Sequence, residues 1–222
     1  MIQVLKKTWR QRLLSLLLPI LLVFAMAGVG MEVPVQAAGN DAGAQTGEMK
    51  VHFLDVGQGL SILVQSEGKT MIYDGGDKKT SRFVVAYLKE QGVTEIDYLI
   101  SSHYDADHMA GLIGCLNVFD VKNVISSNYV HTSKLYKSFV KAVNADGLKM
   151  KHPAVGKTYE FGSGSFEILA PAVIEKNGSN NNSVAIKLTN DGNSFVFTGD
   201  AEHELSLIHI SEPPRPEPIS YA

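Results

Sequence analysis

Cysteine is almost absent from this sequence, and charge of neither sign dominates it. The single cysteine, Cys115, excludes an intramolecular disulfide and a cysteine-based zinc cage. Its apolar neighbours favour a buried small side chain over a reactive thiol. The chain has 20 Lys and Arg against 23 Asp and Glu, a net charge of -3. We therefore expect no basic face, and charge alone does not indicate a protein that binds long duplex DNA.

Long apolar runs are also scarce, and the only one lies near the N-terminus, at residues 13–30. Basic residues precede it, and small residues at positions 35 and 37 suit cleavage by a signal peptidase. We expect residues 1–37 to be a signal peptide or, alternatively, an N-terminal anchor, because the run is barely long enough to span a bilayer. Either form places the remainder outside the cell or on the outer face of the cytoplasmic membrane, with the membrane contacted only through this segment.

The segments that flank the middle of the chain lack an apolar period. Residues 38–48 are small and polar, which is typical of a flexible linker. Closely spaced prolines in residues 205–222 are typical of a disordered tail. Alternatively, residues 205–213 resemble a translated sequencing adapter, in which case this tail is non-native. Residues 49–204 remain as one candidate domain.

The middle of the chain predicts strands, then alternating helices and strands, then strands again. An amphipathic stripe closed by Gly92 predicts a helix over residues 80–91. We expect further helices at 109–116 and 133–145, and strands at 50–56, 61–65, 71–73, 97–100, 121–126, 165–169, 183–188 and 194–197. This order favours an α+β fold in which sheets are sandwiched by helices.

Four potential metal ligands lie within one hexapeptide: His103, Asp105, Asp107 and His108. Imidazole and carboxylate groups bind Zn²⁺ or Mn²⁺, and the lack of thiolate favours a catalytic site over a structural one. Because Asp107 and His108 are adjacent, they can point at neighbouring ions, so we expect two divalent metal ions that activate water for hydrolysis. Asp107 and His108 are the candidate catalytic residues. The alternative is a solvated polar loop in which Asp107 caps a helix.

Three further aspartates stand at the ends of predicted strands. Asp200 follows the strand 194–197 and is a candidate metal ligand or, alternatively, a helix cap. Asp74 precedes two glycines and is a candidate for orienting a metal-ligating histidine. Asp55 is a candidate for supporting the site in the same way. Asp74 and Asp55 have the same alternative role, that of a turn residue.

These motifs together resemble a known family. The hexapeptide resembles the HxHxDH signature of the metallo-β-lactamase superfamily, with Asp at the second position. Four further motifs resemble, in the same order, the hydrolase domain of ComEC-type competence proteins: Leu54-Asp-Val-Gly-Gln-Gly59, Ile72-Tyr-Asp-Gly-Gly76, Asn181-Asn-Ser-Val184 and Phe197-Thr-Gly-Asp200.

The resemblance implies a four-layer αβ/βα sandwich with metal ions between its sheets. It implies that His103 and Asp105 ligate the first metal, that Asp107 and His108 ligate the second, and that Asp200 bridges them. Asp105 stands where the family more often has histidine, which makes Mn²⁺ more competitive with Zn²⁺.

The sequence also departs from the family at two places. Leu60 stands where the family usually has an acidic residue. The family has further metal-ligating histidines after Asp200, whereas His203 and His209 are at different places. We therefore expect a C-terminally truncated sandwich with an incomplete metal site.

The predicted function is that of an exported metal-dependent hydrolase. The resemblance favours a phosphodiesterase or nuclease of the ComEC type, with nucleic acid or another phosphodiester as substrate. Two alternatives stay open: a hydrolase of the same fold that acts on a lactam, lactone or thioester, and a non-catalytic exported module that binds DNA or a surface partner. No feature of the sequence indicates a protein partner.

Overall fold

The computed structural model describes residues 47–176 and 179–202. The predicted leader, residues 1–37, and the predicted tail, residues 205–222, lie outside the described residues, as does nearly all of the linker 38–48. Within the described ranges, no helix is both long enough and apolar enough to cross a membrane.

Twelve strands and three α-helices make up the described part of the chain. The helices are α1 (Ser81–Glu90), α2 (Ala106–Val118) and α3 (Lys134–Ala145). The strands are β1 (Met49–Phe53), β2 (Ile62–Ser66), β3 (Lys69–Tyr73), β4 (Glu95–Ile96), β5 (Tyr98–Ser101), β6 (Asp120–Val121), β7 (Val124–Ser126), β8 (Met150–Lys151), β9 (Thr158–Phe161), β10 (Gly164–Ala170), β11 (Ala185–Asn190) and β12 (Asn193–Phe197).

The strands form two main sheets and a small two-stranded one, β4-β6. The first main sheet has the order β1-β2-β3-β5-β7-β8. Its first three strands are antiparallel, and β3, β5, β7 and β8 run parallel. The helices α1, α2 and α3 supply the crossovers that parallel neighbours need. The second main sheet is an antiparallel meander with the order β12-β11-β10-β9.

Apolar side chains pack on both faces of the six-stranded sheet. Strand β2 shows this arrangement: Leu63 belongs to the cluster shared with the helices, while Ile62 and Val64 belong to the cluster shared with the second sheet. Because successive strand residues face opposite sides, one continuous apolar run fills both clusters. The described residues thus form a helix layer, a six-stranded sheet and a four-stranded sheet. The predicted α+β sandwich is confirmed, and no α-helix follows α3 within the described ranges.

The sequence predicted most elements, but the predicted strand 121–126 is divided into β6 and β7, which lie in different sheets, and β9 was not predicted. Two further differences concern the starts of elements. Helix α2 begins at Ala106 instead of residue 109, because Asp107 in its first turn interacts favourably with the positive end of the helix dipole. Strand β11 begins at Ala185 instead of residue 183, because a 3₁₀ turn at Asn180–Asn182 precedes it. Cys115 is buried in the helix-side cluster, as its apolar neighbours predicted.

Candidate metal centre

The ends of three strands bring the candidate site together. Asp74 directly follows β3, His103 follows β5 by two residues, and Asp200 follows β12 by three. Strands β3 and β5 are parallel neighbours, so their carboxyl ends open at the same edge of the six-stranded sheet, which is where ligand sites form. Asp200 comes from the second sheet. The candidate site therefore lies where the ends of the two sheets meet.

Two buried histidines and one aspartate form its centre. The rings of His103 and His108 have centroids 4.3 Å apart, and His108 Nε2 lies 3.1 Å from an Asp200 carboxylate oxygen. One ligand atom each from His103, His108 and Asp200 lies within 4.8 Å of the others. His103 Nε2 is buried and has no hydrogen-bond partner in the described part of the chain. An unpaired buried nitrogen is costly, so a cation that accepts its lone pair fits this position.

Asp74 forms the hydrogen bonds that orient the two histidines. It is completely buried, and one carboxylate oxygen accepts the Ser102 backbone N–H at 2.7 Å. The other oxygen accepts the Ser102 hydroxyl at 2.6 Å and His108 Nδ1–H at 2.8 Å. Ser102 Oγ lies 2.9 Å from His103 Nδ1. Because this hydroxyl already donates to Asp74, it accepts a hydrogen bond from His103 Nδ1–H.

These contacts fix the same tautomer in both histidines. Each Nδ1 carries a proton for a hydrogen bond, so the Nε2 lone pair of each neutral ring faces the centre. A partner that orients a histidine through its other nitrogen is the usual support of a metal ligand. The donor set of two Nε2 atoms and one carboxylate fits a divalent cation such as Zn²⁺ or Mn²⁺.

The two histidines have opposite pKa shifts. Burial, reinforced by the nearby His108, lowers the pKa of His103. Burial also acts to lower the pKa of His108, but the hydrogen bond to Asp74 and the charges of Asp74 and Asp200 outweigh it, so this pKa is raised. His103 is therefore the ring that more readily offers a neutral nitrogen.

Asp105 and Asp107 lie at the rim of the centre. The Asp105 carboxylate is 3.7 Å from His103 Nε2, and its other oxygen accepts the Ser179 hydroxyl at 2.8 Å. The Asp107 carboxylate accepts a long 3.4 Å hydrogen bond from Gln58 Nε2. Neither belongs to the group of three. Asp105 occupies the N-cap position of α2, and Asp107 lies in the first turn.

Asp55 lies apart from the histidines. It is exposed, and its carboxylate accepts the Gly57 backbone N–H at 3.1 Å, which is a turn contact. Of the two roles that the sequence left open for Asp55, the geometry matches the turn. Asp200 has no helix after it in the described residues 201 and 202.

Two glycines let the loop after β3 touch helix α2. The Gly75 N–H donates to the His108 carbonyl at 2.7 Å, and the Gly111 N–H donates to the Gly76 carbonyl at 3.0 Å. A Cβ atom on Gly75 would lie 2.5 Å from the Leu112 nitrogen. Glycine at these positions allows the backbones to approach, and this contact fixes the turn of α2 that carries His108.

Sequence reasoning assigned no role to the hydroxyl and amide groups around the centre. Ser102 connects Asp74 to His103, Ser179 contacts Asp105, and Gln58 contacts Asp107. Ser102 was detectable in principle, because it directly precedes the first histidine. Ser179 lies 74 positions from Asp105, so no local pattern could reveal that contact.

The chain is similar to known proteins over more than two thirds of its length. Residues 54–221 match the family model described as the metallo-beta-lactamase superfamily. Recombination protein 2 of Haemophilus influenzae is 28% identical over 158 residues, which is 69% of this chain and 18% of that protein. ComE operon protein 3 of Bacillus subtilis is 26% identical over 176 residues, 71% of this chain and 23% of that protein.

The chain spans about a fifth of the length of these curated relatives. Among solved structures, a metallo-beta-lactamase with a HARLDQ motif from Cronobacter sakazakii has a TM-score of 0.49 and 16% identity. That match covers 67% of this chain and 58% of the other.

Proposed function

Because the chain belongs to the metallo-beta-lactamase superfamily, we propose that it is an exported metal-dependent hydrolase that cleaves phosphodiesters, with nucleic acid as the substrate. The family match and the competence-protein relatives support a metallo-hydrolase related to ComEC. The nucleic-acid substrate is supported by relatives named for recombination and competence.

One observation carries the metal-dependent part of the proposal. His103 Nε2 is buried without a hydrogen-bond partner among the described residues, and it lies with His108 Nε2 and an Asp200 oxygen in one group. A site built for structural hydrogen bonding would satisfy that nitrogen with a protein group. A site built for a cation leaves it free.

In this proposal, His103, His108 and Asp200 hold one divalent cation, and Asp105 and Asp107 complete the site for a second. A bound Zn²⁺ or Mn²⁺ supplies positive charge that makes hydroxide available near neutral pH and stabilises charge on a phosphoryl oxygen. Asp74 and Ser102 keep the two rings in place, and the partly exposed Asp107 is the candidate to take a proton.

The experiment measures metal content and hydrolysis together. The purified chain is loaded with Mn²⁺ or Zn²⁺ and assayed with bis(p-nitrophenyl) phosphate, single-stranded DNA and a cyclic dinucleotide. We expect hydrolysis that falls by at least two orders of magnitude in H103A and D200A, because each removes a ligand. H52Q, which changes a histidine on β1, is the matched control and should keep the activity.

The same preparation is assayed with a lactam, a lactone and a thioester. Hydrolysis of one of these without hydrolysis of any phosphodiester would replace the proposed substrate class. A parent chain that binds no metal and hydrolyses none of these substrates would instead be a binding module. The D107N variant of such a module should keep its affinity for DNA.

Export is part of the same proposal and rests on the basic residues before the apolar run 13–30. Residues 1–48 fused to alkaline phosphatase should give phosphatase activity outside the cytoplasm. Deleting residues 13–30 should abolish it. Carbonate extraction and N-terminal sequencing separate a cleaved signal from a retained anchor, and activity confined to the cytoplasm would contradict export.

A further inference from the structure

One stretch of the chain is strongly basic. Residues 121–157 contain seven lysines and one acidic residue, Asp146, although the whole chain has 20 basic and 23 acidic residues. The expectation that the chain has no basic face is therefore wrong for this stretch. It supplies β7, α3 and β8, so the positive charge is concentrated on one flank of the six-stranded sheet.

Helix α3 presents three of these lysines in a row. Lys134, Lys137 and Lys141 are spaced i, i+3 and i+7, so they share one helix face, and all three are exposed. The opposite face, with Tyr136, Phe139 and Val143, is buried. We call the three residues the lysine face.

The lysine face is unusual for a surface helix. Solvated helices normally alternate charges of both signs, whereas α3 contains no acidic residue. Within the part of the chain that the structure describes, none of the three lysines forms an ion pair. Like charges three and four residues apart repel each other, and a bound polyanion removes that repulsion.

The N-terminal end of α3, where the lysine face starts, lies near the candidate metal centre. The ring of Tyr136, in the first turn of α3, lies 4.6 Å from the ring of Tyr104. Tyr104 stands between His103 and Asp105 in the sequence. Tyr129 accepts the Tyr104 backbone N–H at 3.1 Å. From Lys134 to Lys141 the lysine face extends for about 10 Å along α3, at 1.5 Å per helical residue.

Aromatic rings lie at the same end of α3. Tyr129 and His131 are half-buried and have ring centroids 6.5 Å apart, and Tyr129 packs on Tyr104. A basic track next to partly exposed rings is the combination that binds unpaired nucleotides, because the phosphates pair with lysine and the bases stack on the rings. Three lysines and a net charge of -3 supply too little charge for a duplex footprint.

We propose that the lysine face, Lys134, Lys137 and Lys141, binds the phosphate backbone of a single-stranded nucleic acid and guides the strand to the candidate metal centre. This inference rests on the proposed function, because it names the surface that would hold the substrate of that site.

The test compares K134Q/K137Q/K141Q with the matched control K50Q/K89Q/K187Q, which removes three exposed lysines located elsewhere. Fluorescence anisotropy measures the binding of 15-nucleotide DNA and RNA strands to the metal-free chain across a salt series. We expect the lysine-face variant to bind at least about tenfold more weakly at low salt and its salt slope to shrink by about 2, since each phosphate contact contributes roughly 0.7. The control should bind like the parent chain.

Hydrolysis of bis(p-nitrophenyl) phosphate separates this inference from the proposed function. It should be unchanged in both triple variants, because so small a substrate cannot reach along α3. Unchanged strand binding in the lysine-face variant, or an equal loss in the control, would overturn the inference while leaving hydrolysis intact. If the parent chain hydrolysed no phosphodiester but the lysine-face variant still lost strand binding, the proposed function would be overturned instead.

Two more measurements keep the test decisive. K134R/K137R/K141R retains the charge and should bind the strands like the parent chain, and loss of binding in this variant too would contradict a role of the charge. A 15-base-pair duplex should bind more weakly than either single strand. Equal or tighter duplex binding would contradict the single-stranded specificity.

Discussion

Asp74 accepts hydrogen bonds from three donors: the Ser102 backbone N–H, the Ser102 hydroxyl and His108 Nδ1–H. In D74N, one oxygen becomes an amide group that donates where a donor already points. We expect a loss of about 2–4 kcal/mol in unfolding free energy, because buried donors are left without acceptors. We also expect a 10- to 100-fold loss of metal affinity. Urea denaturation and metal titration measure the two effects.

Asp55 provides the control for that substitution. D55N changes an exposed turn carboxylate to an amide that can still accept the Gly57 N–H, so it should alter stability by less than about 0.5 kcal/mol. If D74N and D55N proved equally mild, Asp74 would not be the residue that holds the two histidines.

The opposite pKa shifts of the histidines predict the order in which they lose protons. In the metal-free chain, His103 should deprotonate below the usual value of 6.5 and His108 above it. Lowering the pH through the raised pKa of His108 therefore makes a cation compete with a proton at that ring. D74N removes the main favourable interaction of protonated His108, so its titration should move to lower pH.

Nuclear magnetic resonance of the imidazole protons across pH 5–9 tests that order. The stabilisation that His108 gains from Asp74 is complete below its usual pKa and is lost as the pH rises through the raised value. His103 behaves in the opposite sense, because its lowered pKa costs stability as the pH falls. A reversed order of titration would show that Asp74 does not control His108.

Local pattern revealed some site residues and could not place others. Two imidazoles and two carboxylates in six residues identified the hexapeptide, and strand ends identified Asp74 and Asp200. The direction of each side chain was not predictable, since it depends on α2 starting at Ala106 and so turning Asp107 towards Gln58. The roles of these residues as metal ligands stay predictions.

At the scale of elements, periodicity was the reliable signal. Strands β1, β2 and β3 and the three helices were predicted because each carries several apolar residues in phase. The short strands β4, β6 and β8 have two residues each and no detectable period. They form only because neighbouring strands supply their hydrogen bonds, which is information from the tertiary structure.

The contact between the loop after β3 and helix α2 gives a prediction at this scale. Alanine ordinarily favours a helix over glycine by up to about 1 kcal/mol. In G111A, however, the new methyl group would collide with the Gly75 carbonyl. We expect a net destabilisation of about 2–4 kcal/mol, typical of overpacking against backbone, together with weaker metal binding as His108 shifts.

The control is G192A, where a methyl group meets no atom within 4 Å and the backbone has no positive φ. It should unfold at the parental urea concentration. If G111A were as stable as G192A, the loop after β3 would not be held against α2 at this point.

At the scale of the molecule, the site depends on both sheets. His103 and His108 follow a strand of the six-stranded sheet, whereas Asp200 follows β12 of the four-stranded sheet. No window of sequence contains both halves, since His108 and Asp200 are far apart along the chain. The resemblance to a family connected them before the structure did, because the position of Asp200 at a strand end also allowed the role of a helix cap.

This arrangement predicts that a divalent cation stabilises the whole domain, because it would link the two sheets through His103, His108 and Asp200. At a free concentration of about 100 times its Kd, such a cation stabilises the native state by about 2.7 kcal/mol. For a domain of this size that corresponds to a rise in Tm of roughly 5–11 °C, at about 2–4 °C per kcal/mol. Differential scanning fluorimetry with Mn²⁺, Zn²⁺ or EDTA measures it.

D200N distinguishes a cation that binds residues of both sheets from a cation that binds only the histidines and the aspartates at the start of α2. Asp200 is 45% exposed, so its loss should change the Tm of the metal-free chain little while removing most of the metal-induced rise. D191N, which alters another exposed aspartate of the second sheet, should keep that rise. An undiminished rise in D200N would mean that the cation does not reach the second sheet, and the site would then consist of the histidines and the aspartates at the start of α2.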